Sequence, residues 1–242
     1  RQERQVRSRR DFTTVSLVGY TNAGKSTLMN CLTGKDVFVE DKLFATLDTR
    51  TALWELGAGE KALLSDTVGF IRKLPHHLIA SFKATLEETR HADLLLHVMD
   101  ASDPDLNRHH EVVIDVLQEM GCGDKPRLCV LNKLDRVTDV TELNILHSRL
   151  PETVEVSALT GENLDGLRDK VVEFIDRGRS DIEVRFPSSD GRLLSYLHTE
   201  GQVLDTRYVD ETAVLRVRLD RRLIPNVERS ADVTVLRPAA AP

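Results

Sequence analysis

The sequence predicts an α/β domain, a mainly parallel six-stranded sheet with helices on both faces, followed by a small α+β domain. Three observations carry this. Between residues 13 and 178, short β-branched or apolar runs alternate with stretches in which apolar residues recur at three- and four-residue intervals, the pattern of strands buried between layers of amphipathic helix. A glycine-rich turn joins the first run to the first amphipathic stretch. After Gly178 lysine disappears, and the pattern becomes a strand, a helix and a two-strand hairpin. The expected organisation is the end of a truncated helical segment at 1–12, the α/β domain at 13–178, the small domain at 179–237 and a frayed tail at 238–242.

The strand candidates, in order, are "TTVSLVG", "TALWELG", "KALLSD", "DLLLHVMD", "RLCVLNK" and "TVEVSAL". "GAGE" between the second and third reads as a hairpin turn, so that pair is expected to be antiparallel. Helices are expected after Lys25 and through "LIASFKATLEETRHA", "RHHEVVIDVLQEMG", "VTELNILHSRL" and "LDGLRDKVVEFIDRG". In the small domain, "DIEVRFP", "LLSYLHTEG", "QVLDTRYVD" and "TAVLRVRLD" supply the strand, the helix and the hairpin.

Composition sets the limits. The 242 residues, 40% hydrophobic and 30% charged, suffice for one medium and one small domain with a sizeable core, and argue against a disordered or fibrous chain. The longest apolar run, "ADLLLHVM", is strand-sized, well short of the roughly 18 residues that a membrane span needs. The net charge of −6 gives no global attraction to nucleic acid, and residues 179–242 carry ten Arg against ten Asp or Glu. Cys31, Cys122 and Cys129 show neither C-x-x-C spacing nor an even count, which suits small buried hydrophobes in a reducing cytoplasm. A soluble, cytoplasmic monomer is the expectation. "RQERQVRSRR" begins without a helix cap and reads as a fragment of a longer helix.

The chemistry is concentrated in four motifs. "GYTNAGKST" has Gly19, four residues, then Gly24, Lys25 and Ser26, between a predicted strand and helix. In such a phosphate-binding loop the glycines let the backbone wrap the phosphates, so that the amides of Ala23, Gly24, Lys25, Ser26 and Thr27 and the helix N-terminus face them. Lys25 adds charge at the β- and γ-phosphates, and the Ser26 hydroxyl is a ligand for Mg2+. "DTVGF" follows at the end of the third predicted strand, with Asp66 reaching Mg2+ through a water and the Gly69 amide bonding the γ-phosphate. "NKLD" places Asp135 to accept from the ring N–H and the exocyclic amine of guanine, a donor pair that adenine lacks. Asn132 would brace the loop or bond the base, and the Lys133 stem would lie along the ring. "SALTG" fits the last base loop, with Ser157, the Ala158 amide aimed at the base oxygen, and Leu159 where a lysine often stacks. Together they imply GTP and GDP rather than ATP. In "LFATLDTRT" a threonine must close over Mg2+ and the γ-phosphate; Thr46 is the first choice and Thr49 the second.

With these motifs in order, and with "LFATLDT" and "DTVGFI", the chain resembles the HflX family of translational GTPases over residues 15–178. The resemblance implies a GTPase that binds the large ribosomal subunit and its rRNA, splits ribosomes under stress and is stimulated by them. It also implies a preceding domain and helical hairpin, of which "RQERQVRSRR" would be the end; its five arginines are a local match to rRNA phosphates.

One residue departs from a Ras-like pattern. Phe70 follows Gly69 where a glutamine would orient the attacking water. Catalytic work then falls to Lys25, Thr46, Gly69 and Asn22, the last because an asparagine here is similar to that of potassium-activated GTPases and its carbonyl would hold K+ against the phosphates. An Asn22 that only hydrogen-bonds within the loop is the alternative. His76 and His77 are read as surface residues. "FIRKLP" is expected to be a switch surface on which Phe70 and Ile71 repack while Arg72 and Lys73 face RNA. Three readings stay open: an active GTPase on ribosomes, a GTP-dependent switch with negligible intrinsic hydrolysis, and a GTPase assisting ribosome assembly or RNA modification.

Overall fold

The computed structural model describes residues 12–34, 50–57, 59–67, 69–70, 88–138, 150, 152–230 and 232–236. Its first sheet contains β1 (Thr13–Val18), β2 (Arg50–Gly57), β3 (Glu60–Asp66), β4 (Leu94–Asp100), β5 (Arg127–Asn132) and β6 (Thr153–Glu155), in the order β2-β3-β1-β4-β5-β6. Only the β2–β3 pair is antiparallel among these strands, as the turn signal predicts. The helices α1 (Lys25–Thr33), α2 (Leu106–Glu119) and α3 (Leu164–Arg177) occur where the apolar periodicity places them. Helix α1 ends at Gly34, whose φ of 63° is the left-handed conformation that stops a helix. The helices expected at 78–92 and 140–150 lie largely outside the described residues, as do Thr46, Thr49, Ile71–Pro75, His76, His77 and the segment 1–11.

Strand β1 is the axis. It pairs with β3 on one side and β4 on the other, all three parallel, so successive connections leave it in opposite directions. A crevice at the carboxyl ends of the strands results. The registers Leu17↔Asp66 and Asp100↔Asn132 bring the last residues of β3, β4 and β5 to the edge where β1 runs into Gly19. Strand β4, "LLLHVMD", is buried along nearly its whole length because both faces are covered. Its one polar interior residue is His97.

Phe70 belongs to the core. Expected as an apolar contact of the switch segment, it is fully buried among Val18, Leu95, Val113, Leu117 and Met120, which belong to β1, β4 and α2 and its C-terminal turn. Its backbone continues the sheet: Phe70 N–H donates to Gly19 O at 3.0 Å, and Thr21 N–H donates to Phe70 O at 3.1 Å. An aromatic side chain at this position thus ties the glycine-rich turn to the core.

The second sheet, β7 (Arg179–Pro187), β8 (Gln202–Val209), β9 (Thr212–Asp220) and β10 (Thr234–Leu236), has the order β10-β7-β9-β8 and is antiparallel throughout. Alternate residues Ile182, Val184, Phe186, Leu215, Val217 and Leu219 pack against Leu193 and Leu197 of α4 (Gly191–Glu200) and against Ile224 and Val227 of α5 (Ile224–Glu228). The Asp190 carboxylate caps α4 by accepting from Leu193 N–H at 3.0 Å. The other alternation is charged: Asp181 pairs with Arg218 and Arg216, and Glu183 with Arg185 and Arg207. Helix α5 and strand β10 were not anticipated, because Pro225 obscures a five-residue helix and β10 has only three residues.

The chain divides into two compact units, residues 1–170 and 171–242. The division falls inside α3, whereas the change in composition comes after Gly178.

Phe70→Ala is expected to lower the unfolding free energy by about 3–5 kcal/mol, the range for deleting a buried aromatic side chain. Denaturant unfolding followed by circular dichroism measures it; a loss under 1 kcal/mol would contradict the packing role.

Candidate functional site

The glycine-rich turn leaves β1 at Gly19 and reaches α1 at Gly24. Asn22 holds a positive φ of 63° and is exposed, and Gly24 has φ 92°. Gly24 is also a close approach: a Cβ there would lie 2.3 Å from Asn132 Nδ2, so no larger residue fits. Gly69 is the second such position. Its Cβ would fall 2.7 Å from Thr21 Cγ2 and 3.0 Å from Lys25 Nζ.

Lys25, the first residue of α1, is buried, and its ammonium donates to Gly19 O at 3.1 Å and Tyr20 O at 2.9 Å. Burial lowers its pKa from 10.5 to about 8, against a smaller upward pull from the Asp66 carboxylate. Ser26 Oγ donates to Asp66 Oδ2 at 2.6 Å. Motifs 40 positions apart thus meet as a hydroxyl and a carboxylate beside one ammonium. Two hard oxygen donors at the head of a helix suit Mg2+ by their chemistry.

The "NKLD" and "SALTG" segments form the other half. Asn132 is buried, its amide engaged at both ends: Nδ2 donates to Ala23 O at 2.9 Å, and Oδ1 accepts from Ala158 N–H at 2.9 Å. Of the two roles expected for Asn132, this is the brace. The Ala158 amide, expected to face a base oxygen, is engaged by Asn132 instead. The Ser157 hydroxyl donates to Asp135 Oδ1 and accepts from Thr160 N–H, which orients Asp135 while leaving its second oxygen to the surface. Leu159 is 73% exposed, and Cys31 Sγ contacts Ala158 O at 2.9 Å. Lys133 adopts a left-handed φ of 65° and pairs with Asp100 Oδ2 at 2.7 Å.

Sequence reasoning missed the residues at the end of β4 and just beyond it. Asp100, Ser102 and Asp103 of "DASDP" stand beside the turn, and a cavity of about 350 Å3 opens between them and Thr21, Asn22, His97 and His110. Tyr20 stacks on His109 at 3.8 Å between ring centroids, and His109 Nδ1 is 2.6 Å from Asp103 Oδ2. His97 is buried, with neither ring nitrogen hydrogen-bonded among the described residues, and stacks on His110 at 5.1 Å. Burial, then the neighbouring His110 and Arg127, hold its pKa well below the usual imidazole range, so it is neutral at pH 7. The spacing of "DASDP" from the first strand carried no signal of this neighbourhood.

A family model described as "50S ribosome-binding GTPase" matches residues 14–133. The chain is 46% identical over 242 residues to a GTPase HflX of Magnetococcus marinus, covering 98% of this chain and 55% of that protein. The chain spans about half the length of the curated relatives it matches. Among solved structures, an Era variant of Aquifex aeolicus bound to GDP.AlF4- superposes with a TM-score of 0.58 at 26% identity, over 66% of this chain and 56% of that one. A GTP-binding protein of Sulfolobus solfataricus in complex with GDP gives 0.56 at 28% identity, over 72% and 56%. The first sheet and its glycine-rich turn are therefore a P-loop GTPase fold.

The depressed Lys25 pKa makes a pH prediction. A buried lysine that resists protonation destabilises the folded state wherever the unfolded chain is protonated, fully below pH about 8 and no longer above about 10.5. Lys25 therefore contributes a rise in unfolding free energy across that window, roughly 3 kcal/mol in total. Lys25→Met is expected to remove this rise when urea unfolding at pH 7.5 and pH 10 is compared with the unsubstituted chain; an unchanged slope would refute it.

Proposed function

Because the chain belongs to the HflX family of GTPases over the half of their length that it spans, we propose that its first unit binds and hydrolyses GTP and acts on the large ribosomal subunit. One observation carries this: the ends of β1, β3 and β5 bring Lys25, Ser26 and Asp66 to the same sheet edge as Asn132 and Asp135, joined through the Asn132–Ala23 hydrogen bond. The first group matches phosphate and Mg2+; the second matches guanine.

Each residue then has a task. The loop from Gly19 through Asn22, Ala23, Gly24 and Thr27 wraps the phosphates, and Lys25 meets their charge. Lys25, whose pKa burial lowers to about 8, is still largely protonated at pH 7 and so meets the phosphates as an ammonium. Mg2+ would be held by Ser26 and Asp66, with Thr46 of the closing loop; when bound it neutralises charge on the transferring phosphoryl group. Gly69, pressed against Thr21 and Lys25, presents its amide to the γ-phosphate. Asp135, oriented by Ser157, selects guanine; Ala158 and Leu159 complete that loop, and the Lys133 stem borders it.

Phe70 cannot orient a water, and its burial removes it from the chemistry altogether. Hydrolysis is therefore slow unaided and is raised by the ribosome. Asn22, exposed on the rim of the loop, is the residue whose carbonyl would hold K+. The exposure of its side chain supports this reading over a purely internal hydrogen bond. We propose further that the protein is a cytoplasmic monomer; among the described residues no helix is long and apolar enough to cross a membrane.

The base reading is tested by nucleotide competition. Asp135→Asn is expected to weaken GDP binding by about 100-fold or more while leaving the P-loop intact, since a buried donor pair on guanine loses its acceptor. Equal affinity of the unsubstituted chain for ADP and GDP would overturn it. For the partner, the chain with a non-hydrolysable GTP analogue is expected to sediment with purified large subunits more than with GDP; equal sedimentation would count against the ribosomal reading. Turnover in KCl against NaCl tests Asn22, with equal rates excluding K+.

A further inference from the structure

Lys133 carries two structural obligations at once. Its backbone is left-handed, with φ 65°, a conformation that a residue with a side chain rarely adopts. Its side chain passes beside the end of the glycine-rich turn: a Cβ on Gly24 would lie 3.9 Å from Lys133 Cε. The ammonium ends on Asp100 Oδ2 at 2.7 Å, with the two side chains only 15% and 20% exposed.

Asp100 is itself held on both oxygens. Its Oδ1 accepts from Ser102 N–H at 3.0 Å and Ser102 Oγ at 2.7 Å, while Oδ2 receives Lys133. Asp100 and Asn132 are register partners in β4 and β5, and Ala101 N–H donates to Asn132 O at 2.7 Å. The carboxylate is thus anchored directly across from the residue that precedes Lys133. Burial opposes its ionisation, yet the hydrogen bonds from Lys133 and Ser102 keep its pKa below the ordinary carboxylate value.

We propose that Asp100 is a positioning residue for the base site: by fixing the Lys133 ammonium it stretches the aliphatic stem across the phosphate loop as one wall of that site, and so sets the residence time of a bound guanine nucleotide. This rests on the guanine-nucleotide reading above. Without the carboxylate the ammonium turns to solvent, as a strongly hydrated, flexible lysine head does, and the wall leaves with it. A wall contacting the face of a ring is indifferent to ring substituents, which separates this role from that of Asp135.

The test is a double-mutant cycle on release of a fluorescent GDP, chased with unlabelled GDP in stopped flow. Asp100→Ala and Lys133→Met are each expected to speed release about tenfold, a change typical of losing a partly buried charge-assisted hydrogen bond. The double variant is expected to release no faster than Lys133→Met alone, because Asp100 acts through Lys133. Asp100→Asn keeps an acceptor without the charge and should fall between; it carries the comparison if Asp100→Ala does not fold. Inosine diphosphate should be released faster by the same factor as GDP in the Asp100 variants. Release at the unsubstituted rate, or single effects that multiply in the double variant, would overturn the proposal. Failure of the unsubstituted chain to bind GDP at all would remove the guanine reading and this proposal together.

Discussion

The side-chain amide of Asn132 is the interaction on which the site depends. Buried at the end of β5, it donates to Ala23 of the glycine-rich turn and accepts from Ala158 of the last loop. A buried amide left unpaired costs about 1–3 kcal/mol per lost partner, so both loops must come to it. Gly24 has no room for a side chain because this amide occupies the space. The next residue must then turn sharply, and Lys133 does so in a left-handed conformation that directs its ammonium to Asp100. Three loops from three strand ends are thereby held in one arrangement by hydrogen bonds that each use a different atom.

The sheet supplies the frame for that arrangement. β1 is central because it pairs with β3 on one side and β4 on the other, so the connections run in opposite directions from it, and the resulting crevice is where short loops can converge on one ligand. Phe70 belongs to this frame. Its ring fills the core between β1, β4 and α2 while its backbone bonds Gly19 and Thr21, so the segment that begins at Asp66 is fastened to the turn it serves. His97, buried and neutral beside the same turn, is the one polar residue in the buried run of β4, and it stacks on the neighbouring His110.

In the second unit, charge is spent internally. The arginines of one sheet face lie opposite Asp181, Glu183 and Asp205 in cross-strand and same-strand pairs, each worth little at an exposed surface. Their value is in register and solubility, which fits a strand set whose other face carries the entire core.

Much of this was legible in the sequence. Strand order could not be read, but strand identity, the single antiparallel pair and the motif-bearing strand ends could, because each depends on local periodicity or on a turn that only certain residues form. The chemistry of Lys25, Ser26, Asp66, Asn132 and Asp135 was legible for the same reason: phosphate, cation and guanine each demand particular atoms at particular spacings. The tertiary structure alone decided the rest. It chose the core partners of Phe70, gave the Ala158 amide to Asn132, and revealed Asp100 as the partner of Lys133. These are contacts between residues far apart in the chain, and they are fixed by the register of parallel strands, which no local pattern encodes.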